Sequence, residues 1–236
     1  MRLDVYLSQN GIKSREAAKS IIKKGVVING RTVTKPSFDV TGDEDIVYEN
    51  DMKYVGRGGL KLEHAIREFE LDLTGYVCLD IGASTGGFTD CMLQSGASYV
   101  YAVDVGHGQL AQKLVCDSRV RNMEGMNIRS VTRSDFDRDI DFIGTDVSFI
   151  SLKLVLPVIY ELLSGKNAVV LIKPQFECGR AALGKGGIVK SDKVTESVRE
   201  DLRAFAEATG FAVEGIIPSP ITGGDGNREF LMLLKK

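Results

Sequence analysis

Apolar positions come first in short clusters and later in longer runs. Leu3, Val5, Tyr6 and Leu7 lie close enough for one face of a short helix, which Asn10-Gly11 ends. Ser14 is placed to cap a second helix over 15–24, with Glu16 in its first turn and Gly25 as its stop. Ala17, Ala18, Ile21 and Ile22 form the buried stripe of that helix, and Arg15, Lys19 and Lys23 recur every four residues on the other side. Val26-Val-Ile28 and Arg31-Thr-Val33 flank Asn29-Gly30, which predicts a tight hairpin, and Ile46-Val-Tyr48 supplies a further short strand.

From Leu60 onward the period changes. Leu60, Leu62, Ala65, Ile66 and Phe69 predict a helix. Strand runs then alternate with helical patterns: 77–81, 99–104, a weak run at 120–123, 141–147 and 167–173 are the strands. Between and after them, 88–93, 109–115, 152–163 and 194–209 read as helices, and 211–217 and 229–234 as closing strands. Strands alternating with helices give an α/β fold with a mostly parallel sheet. The last two strands are expected as a hairpin-like pair with the final one antiparallel. The stretch 176–190 is rich in Gly and Lys and has no clear period, which suits a mobile loop over a substrate. Lys53-Tyr-Val-Gly-Arg-Gly-Gly59 has three glycines and little apolar content, and it reads as a linker over 53–59 between a small domain (1–52) and a large one (60–236).

Charge sharpens this division. Residues 1–38 carry eight basic side chains and two acids, and residues 39–52 carry six acids and no base, although the whole chain has a net charge of only -2. The basic ridge Arg15, Lys19, Lys23, with Lys24 and Arg31 beside it and no acid expected on it, suits an RNA backbone. Arg57 and Lys61 extend that basic character into the linker region. The 236 residues suffice for a large domain plus a small one, and 26 glycines exceed the usual share of about 7%. Cys78, Cys91, Cys116 and Cys178 have no C-x-x-C spacing and there are only two histidines, so no metal site is expected. Free thiols, no apolar leader after Met1 and no stretch of about 18 apolar residues together point to a cytoplasmic protein with no membrane partner.

The chemistry centres on Val77-Cys-Leu-Asp-Ile-Gly-Ala-Ser-Thr-Gly-Gly-Phe88, a strand, a glycine-rich turn and a helix start. Such a turn lets a ligand approach the backbone closely and meet free N–H groups. A dinucleotide fingerprint would have glycine where Ser84 stands, and Asp80 before the turn would repel a pyrophosphate. A carboxylate there suits an ammonium group, and S-adenosylmethionine carries an amino-acid end and no phosphate. Asp104 ends the next strand run, 24 residues after Asp80, a spacing suited to an acid on ribose hydroxyls. Asp80, Gly82, Ser84, Thr85, Gly86, Gly87, Phe88 and Asp104 are therefore the candidate cofactor residues.

The run from Ser14-Arg-Glu16 to Gly25-Val-Val-Ile-Asn-Gly30 resembles the alpha-L RNA-binding module. The whole chain resembles the TlyA/hemolysin A family, in which that module precedes an FtsJ/RrmJ-like 2′-O-methyltransferase. The resemblance rests on Gly56-Arg-Gly-Gly-Leu-Lys61, the 80–88 run, Asp146-Val-Ser-Phe-Ile-Ser151, Ile172-Lys-Pro-Gln-Phe-Glu177 and Gly226-Asn-Arg-Glu229. It implies a class I, Rossmann-like methyltransferase fold with a small N-terminal α+β domain, S-adenosylmethionine as cofactor and ribosomal RNA in ribosomal subunits as substrate, with a cytidine 2′-hydroxyl as acceptor. It also implies that Asn127 meets adenine and that Lys61, Asp146, Lys173 and Glu229 form the catalytic set.

Asp146 lacks the Pro-Pro-Tyr that follows the acid in exocyclic-amine methyltransferases, and no Pro-Cys pair offers a nucleophile for base-carbon methylation, so an oxygen acceptor is the better reading. In that reading Lys173 takes the hydroxyl proton, Lys61 is its cationic neighbour, and Asp146 and Glu229 orient them. The competing readings are a dehydrogenase, which Ser84 disfavours; a non-enzymatic RNA-binding or ribosome-assembly factor, which the complete Lys-Asp-Lys-Glu set disfavours; and a pore-forming hemolysin, which finds no membrane span in the sequence.

Overall fold

The computed structural model describes the chain apart from Gly11, Lys13, Asp43, Asp45, residues 49–52, Asp225 and the side chain of Val47. Lys13, four of the acids counted in the acidic block and the expected domain edge at 52 thus lie outside the described residues. The chain divides into two compact units, Met1–Lys53 and Tyr54–Lys236.

In the first unit, α1 (Leu3–Gln9) and α2 (Arg15–Lys24) precede three short strands, β1 (Val26–Ile28), β2 (Arg31–Val33) and β3 (Ile46–Tyr48). Both pairings of β1 are antiparallel and the sheet order is β2-β1-β3. Ser14 caps α2 by accepting the Ala17 N–H, and Asn29 and Gly30 both take positive φ, as a two-residue hairpin turn with the right twist requires. Leu3, Leu7, Ala18, Ile22 and Val26 make the core.

The basic ridge differs from the sequence expectation, because acids do sit against it. Asp4 is fully buried and accepts hydrogen bonds from Arg2 (2.9 and 3.1 Å) and Arg15 (2.9 Å), while Lys19 pairs with Glu16 at 2.6 Å. The Arg2 and Arg15 guanidiniums hold the Asp4 carboxyl well below the usual carboxylate range. Arg15 is therefore part of the unit's internal bonding as well as its surface charge, whereas Lys23, Lys24 and Arg31 are exposed.

In the second unit, a seven-stranded sheet has the order β6-β5-β4-β7-β8-β10-β9. Its strands are β4 (Val77–Ile81), β5 (Tyr99–Asp104), β6 (Val120–Glu124), β7 (Ile140–Thr145), β8 (Leu163–Ile172), β9 (Ala212–Pro218) and β10 (Phe230–Lys235). The pairings from β6 to β8 are parallel, and β10 runs antiparallel between β8 and β9. The helices are α3 (Gly58–Glu68), α4 (Gly87–Gln94), α5 (Gln112–Val115), α6 (Leu156–Leu162), α7 (Pro174–Glu177) and α8 (Asp192–Thr209). Alternate residues of the central strand serve two separate cores: Leu79 and Ile81 join one, Cys78 the other.

Several boundaries moved for identifiable reasons. The 109–115 helix shortens to α5 because the N–H groups of Gly108, Gln109 and Leu110 are turned toward the Glu124 carboxylate at 2.7–3.0 Å. The 152–163 helix becomes a 3-10 turn (Leu152–Leu154) followed by α6, with Pro157 in the first turn of α6. Apart from Lys53, the expected linker lies in the second unit. Tyr54 is buried, the Val55 N–H donates to Asp90 at 2.8 Å, and α3 starts at Gly58. The 176–190 stretch, expected as a mobile loop, is bonded to a distant turn: Asn227 accepts the Val189 N–H and donates to the Gly187 carbonyl, both at 3.0 Å.

Candidate active site

The strand order reverses around β4, with β5 on one side and β7 on the other, so their C-terminal ends diverge and leave a crevice. A cleft of about 420 Å³ occupies it. Gly82 and Ser84 from the β4 turn, Asp104 from β5, Asn127 from the loop after β6 and Asp146 to Ile150 after β7 all line it. The turn is built by φ values of 83° at Gly82, 47° at Ser84 and 93° at Gly86. A Cβ at Gly82 would lie 2.5 Å from the Asp146 carbonyl oxygen, so the two strand exits approach this closely only because that residue is glycine.

The other candidate cofactor residues are placed differently. Gly87 begins α4, where a Cβ would lie 2.9 Å from the Gly59 nitrogen, and Phe88 is buried in the core beneath the turn. A Cβ at Gly86 would run into Leu110 and Leu114, and the Thr85 carbonyl accepts the Ala111 N–H at 3.2 Å. These four residues shape the turn from behind and do not line the cleft. Asp80 is fully buried too: its Oδ2 accepts the Thr89 N–H (2.8 Å) and hydroxyl (2.6 Å), and its Oδ1 has no hydrogen-bond partner among the described residues. Burial pushes the Asp80 carboxyl up to about 7, with the Thr89 bonds opposing that rise.

Asp104 accepts the Ser84 N–H and the Gly106 N–H, each at 2.7 Å, so it joins the two turns that wall the cleft. Asn127 accepts the Arg129 N–H at 3.1 Å and caps a 3-10 turn at the cleft edge. Gln109, Val105 and Met126 complete the wall. Sequence reading missed Gln109 because it placed that residue inside a helix. No Lys or Arg is among the lining residues, and Asp104 and Asp146 both are. Such a wall suits a nucleoside with hydroxyls and repels a pyrophosphate. Asp80 does not line the cleft and its Oδ1 is buried behind the turn, so the fit to S-adenosylmethionine rests on the Asp104 and Asp146 carboxylates, which suit ribose hydroxyls and a cationic cofactor.

Beside the cleft the fold gathers Lys61, Asp146, Lys173 and Glu229 from four separate parts of the chain. Lys173 Nζ lies 2.6 Å from Asp146 Oδ1 and donates to Ser148 Oγ at 2.8 Å. Lys61 Nζ lies 2.6 Å from Glu229 Oε2 and 3.7 Å from Asp146 Oδ2. Lys61 and Glu229 are buried, and Asp146 stands between the two ammonium groups. Next to Lys173, Phe149 is 90% exposed at φ 64°, and its ring lies 4.9 Å from that of Phe176. The sequence marks Phe149 only as part of the Asp146–Ser151 motif, and its exposed ring is seen only in the folded loop. Arg57 is exposed, with its guanidinium near Gly224.

The FtsJ-like methyltransferase model matches residues 54–236, and the S4 domain model matches residues 1–46. The chain belongs to the FtsJ-like methyltransferase family. It is an enzyme of the S-adenosylmethionine-dependent methyltransferase class, with an S4 domain at its N-terminus. A Bacillus subtilis protein named as a candidate rRNA methyltransferase, YqxC, is 48% identical over 99% of this chain and 85% of its own length. The 16S/23S rRNA (cytidine-2′-O)-methyltransferase TlyA of Mycobacterium tuberculosis is 37% identical over 99% of this chain and 89% of its own. A solved structure from Streptococcus thermophilus, described as a candidate hemolysin, shares 46% identity with a TM-score of 0.80, covering 100% of this chain and 88% of that one. Among the described residues no helix is long and apolar enough to cross a membrane.

Proposed function

We propose that this chain methylates the 2′-hydroxyl of cytidine in ribosomal RNA, acting on ribosomal subunits in the cytoplasm. The observation that carries this reading is the Lys61–Asp146–Lys173–Glu229 constellation beside a cleft that fits S-adenosylmethionine. The cofactor, when bound, supplies an electrophilic methyl group on a sulfonium, which leaves as a neutral thioether.

The protein's task is to hold the acceptor and take its proton. Lys173 is the group placed to accept the 2′-hydroxyl proton, and Asp146 and Ser148 fix the position of its nitrogen. Lys61, anchored by Glu229, supplies a buried positive charge on the other side of Asp146. The exposed Phe149 ring beside Phe176 gives the target nucleotide's base an aromatic face, a contact worth about 1–3 kcal/mol per base. Alignment of the two reactants then contributes up to about 7–11 kcal/mol toward the barrier.

With S-adenosylmethionine bound, Asp104 would hold the ribose hydroxyls, Asn127 would border the adenine, Gly82 and Ser84 would give the backbone approach, and Asp80, buried behind the turn, would attract the ammonium. The first unit supplies RNA affinity through Lys23, Lys24 and Arg31, with Arg15 and Lys19 contributing the charge left after their ion pairs, and Arg57 adds a cation on the catalytic unit. The four cysteines are free thiols, in keeping with a reducing compartment. The test is transfer of labelled methyl to purified small and large subunits, followed by mapping of 2′-O-methyl nucleotides. Label on a base atom, or none on either subunit, would overturn the reading.

A further inference from the structure

Two chain segments leave the parallel neighbours β7 and β8 at the site: 146–152, which carries Asp146 and Phe149, and 173–177, which carries Lys173. Lys173 reaches across to Ser148 at 2.8 Å, and the Phe149 and Phe176 rings meet at 4.9 Å. Besides the Lys173–Asp146 pair at 2.6 Å, a further cross-link lies one turn beyond the lysine. Glu177 Oε2 accepts the Ser151 hydroxyl at 2.6 Å, and Glu177 Oε1 accepts the Leu152 N–H at 2.8 Å.

We propose that Glu177 is a positioning residue of the methyl-transfer site, clamping the Phe149 loop to the helical turn that begins after Lys173. Phe149 is in the left-handed region at φ 64° with its ring 90% exposed, so apart from its contact with Phe176 burial does not hold it there. A non-glycine residue keeps such a conformation only where its surroundings over-determine it. On its C-terminal side Ile150 packs against the core and Leu152 is buried in it, and the Glu177 carboxylate adds hydrogen bonds that fix Ser151 and the Leu152 N–H. The Leu152 N–H also opens a 3-10 turn and has no intrahelical acceptor, so Glu177 supplies the partner that the turn itself lacks. Released from Glu177, the loop loses the conformation that presents Phe149, and Ser148 loses its register on Lys173. This inference rests on the methyltransferase reading, because positioning has meaning only toward a reaction.

The experiment uses the full chain with ribosomal subunits, in single turnover at saturating cofactor. Glu177→Ala should slow methylation about 10- to 100-fold, the scale of misplacing a reacting group by about an ångström, while cofactor affinity stays within about twofold. Glu177→Gln should recover most of the rate, since its carbonyl can accept from Leu152 and its amide can donate to the Ser151 oxygen. Ser151→Ala removes one of the two Glu177 bonds, together with the Ser151 cap on the Lys153 N–H, without altering α7, and it should slow the reaction by less. It also carries the test if Glu177→Ala does not fold.

The chain has no tryptophan, so Phe149→Trp provides a lone fluorescent reporter of the loop that works without cofactor or activity. Its anisotropy should fall when Glu177→Ala is added and recover with Glu177→Gln. Normal turnover of Glu177→Ala and Ser151→Ala in a preparation whose wild type methylates would overturn the inference, as would an unmoved reporter or a Gln variant as slow as the Ala variant. A wild type that methylates nothing while the reporter still loosens would instead overturn the functional reading and leave the clamp standing.

Discussion

The Lys61 ammonium lies 2.6 Å from Glu229 Oε2, although the two residues are 168 positions apart in the chain. One comes from the helix that opens the catalytic unit and the other from the entry to the strand inserted between β8 and β9. Both are buried, and breaking a buried pair by removing one partner leaves an uncompensated charge. Glu229→Ala should therefore destabilise the catalytic unit by about 3–5 kcal/mol, toward the lower end because Asp146 remains 3.7 Å from the lysine. Glu229→Gln, which keeps an acceptor, should cost less. Denaturant titration checks this, and midpoints equal to wild type for both variants would show that the pair contributes nothing to folding.

Lys173 is the residue on which turnover depends most directly. Lys173→Ala should lower single-turnover methylation by about 10²–10⁴-fold, the usual scale for a general base, with cofactor affinity kept. Lys173→Arg should fail as well, because a guanidinium stays protonated and cannot take a proton. A Lys173→Arg enzyme turning over near the wild-type rate would leave Lys173 only an electrostatic role.

Asp80 makes the cofactor-free protein sensitive to pH. Its folded value of about 7 is raised above an unfolded value of about 3.9, so the native state holds the proton longer than the unfolded chain does. The contribution of Asp80 to stability is therefore complete below about pH 4 and is lost as pH rises toward 7. Asp80→Asn should flatten that slope in a series of melting curves. In the proposed complex an ammonium beside the carboxylate favours its ionised form, so cofactor binding near pH 7 should release a proton. Calorimetry in buffers of unlike ionisation enthalpy would detect it. No release in the wild type, with unchanged affinity in Asp80→Asn, would place the ammonium elsewhere.

In the first unit, the exposed cations and the paired ones should behave differently. Lys23→Ala and Arg31→Ala should each weaken subunit binding and make the log–log salt dependence shallower by about 0.7–0.9 for every phosphate the side chain neutralises, without affecting the fold. Arg15→Ala should lower stability and RNA affinity together, because Asp4 would keep only Arg2. The Asp4 carboxyl is held below its usual range, so the stability it contributes is present above about pH 4 and is lost as pH falls below that. Unchanged RNA affinity in both Lys23→Ala and Arg31→Ala would move the RNA surface away from β2 and the end of α2.

Where the signal was local, the sequence was readable. Ser14, Gly25 and Asn29-Gly30 mark the ends of α2 and its hairpin by capping and turn chemistry that acts over a few residues, and the structure has them there. The strand–turn–helix around Asp80 was legible for the same reason. Less legible were the features fixed by distant partners. The helix expected at 109–115 lost its first turn to Glu124, and most of the supposed linker folded into the catalytic unit through Tyr54 and the Val55–Asp90 bond.

The sequence by itself determined the periodicity of the elements, their alternation into a parallel sheet, and the residue types available at each strand end, because sterics and hydrophobic spacing act along the chain. Which of those residues share a site was decided only by the tertiary structure. Packing put Phe88 and Gly87 behind the cofactor turn, buried Asp80 against Thr89, and tied Arg15 to Asp4 inside the first unit. The same packing brought Glu229 to Lys61, turned Phe149 outward beside Lys173, and set Glu177 across two loops. Long-range electrostatics and close packing depend on which strands become neighbours, and that order, with β10 inserted between β8 and β9, is a property of the whole sheet.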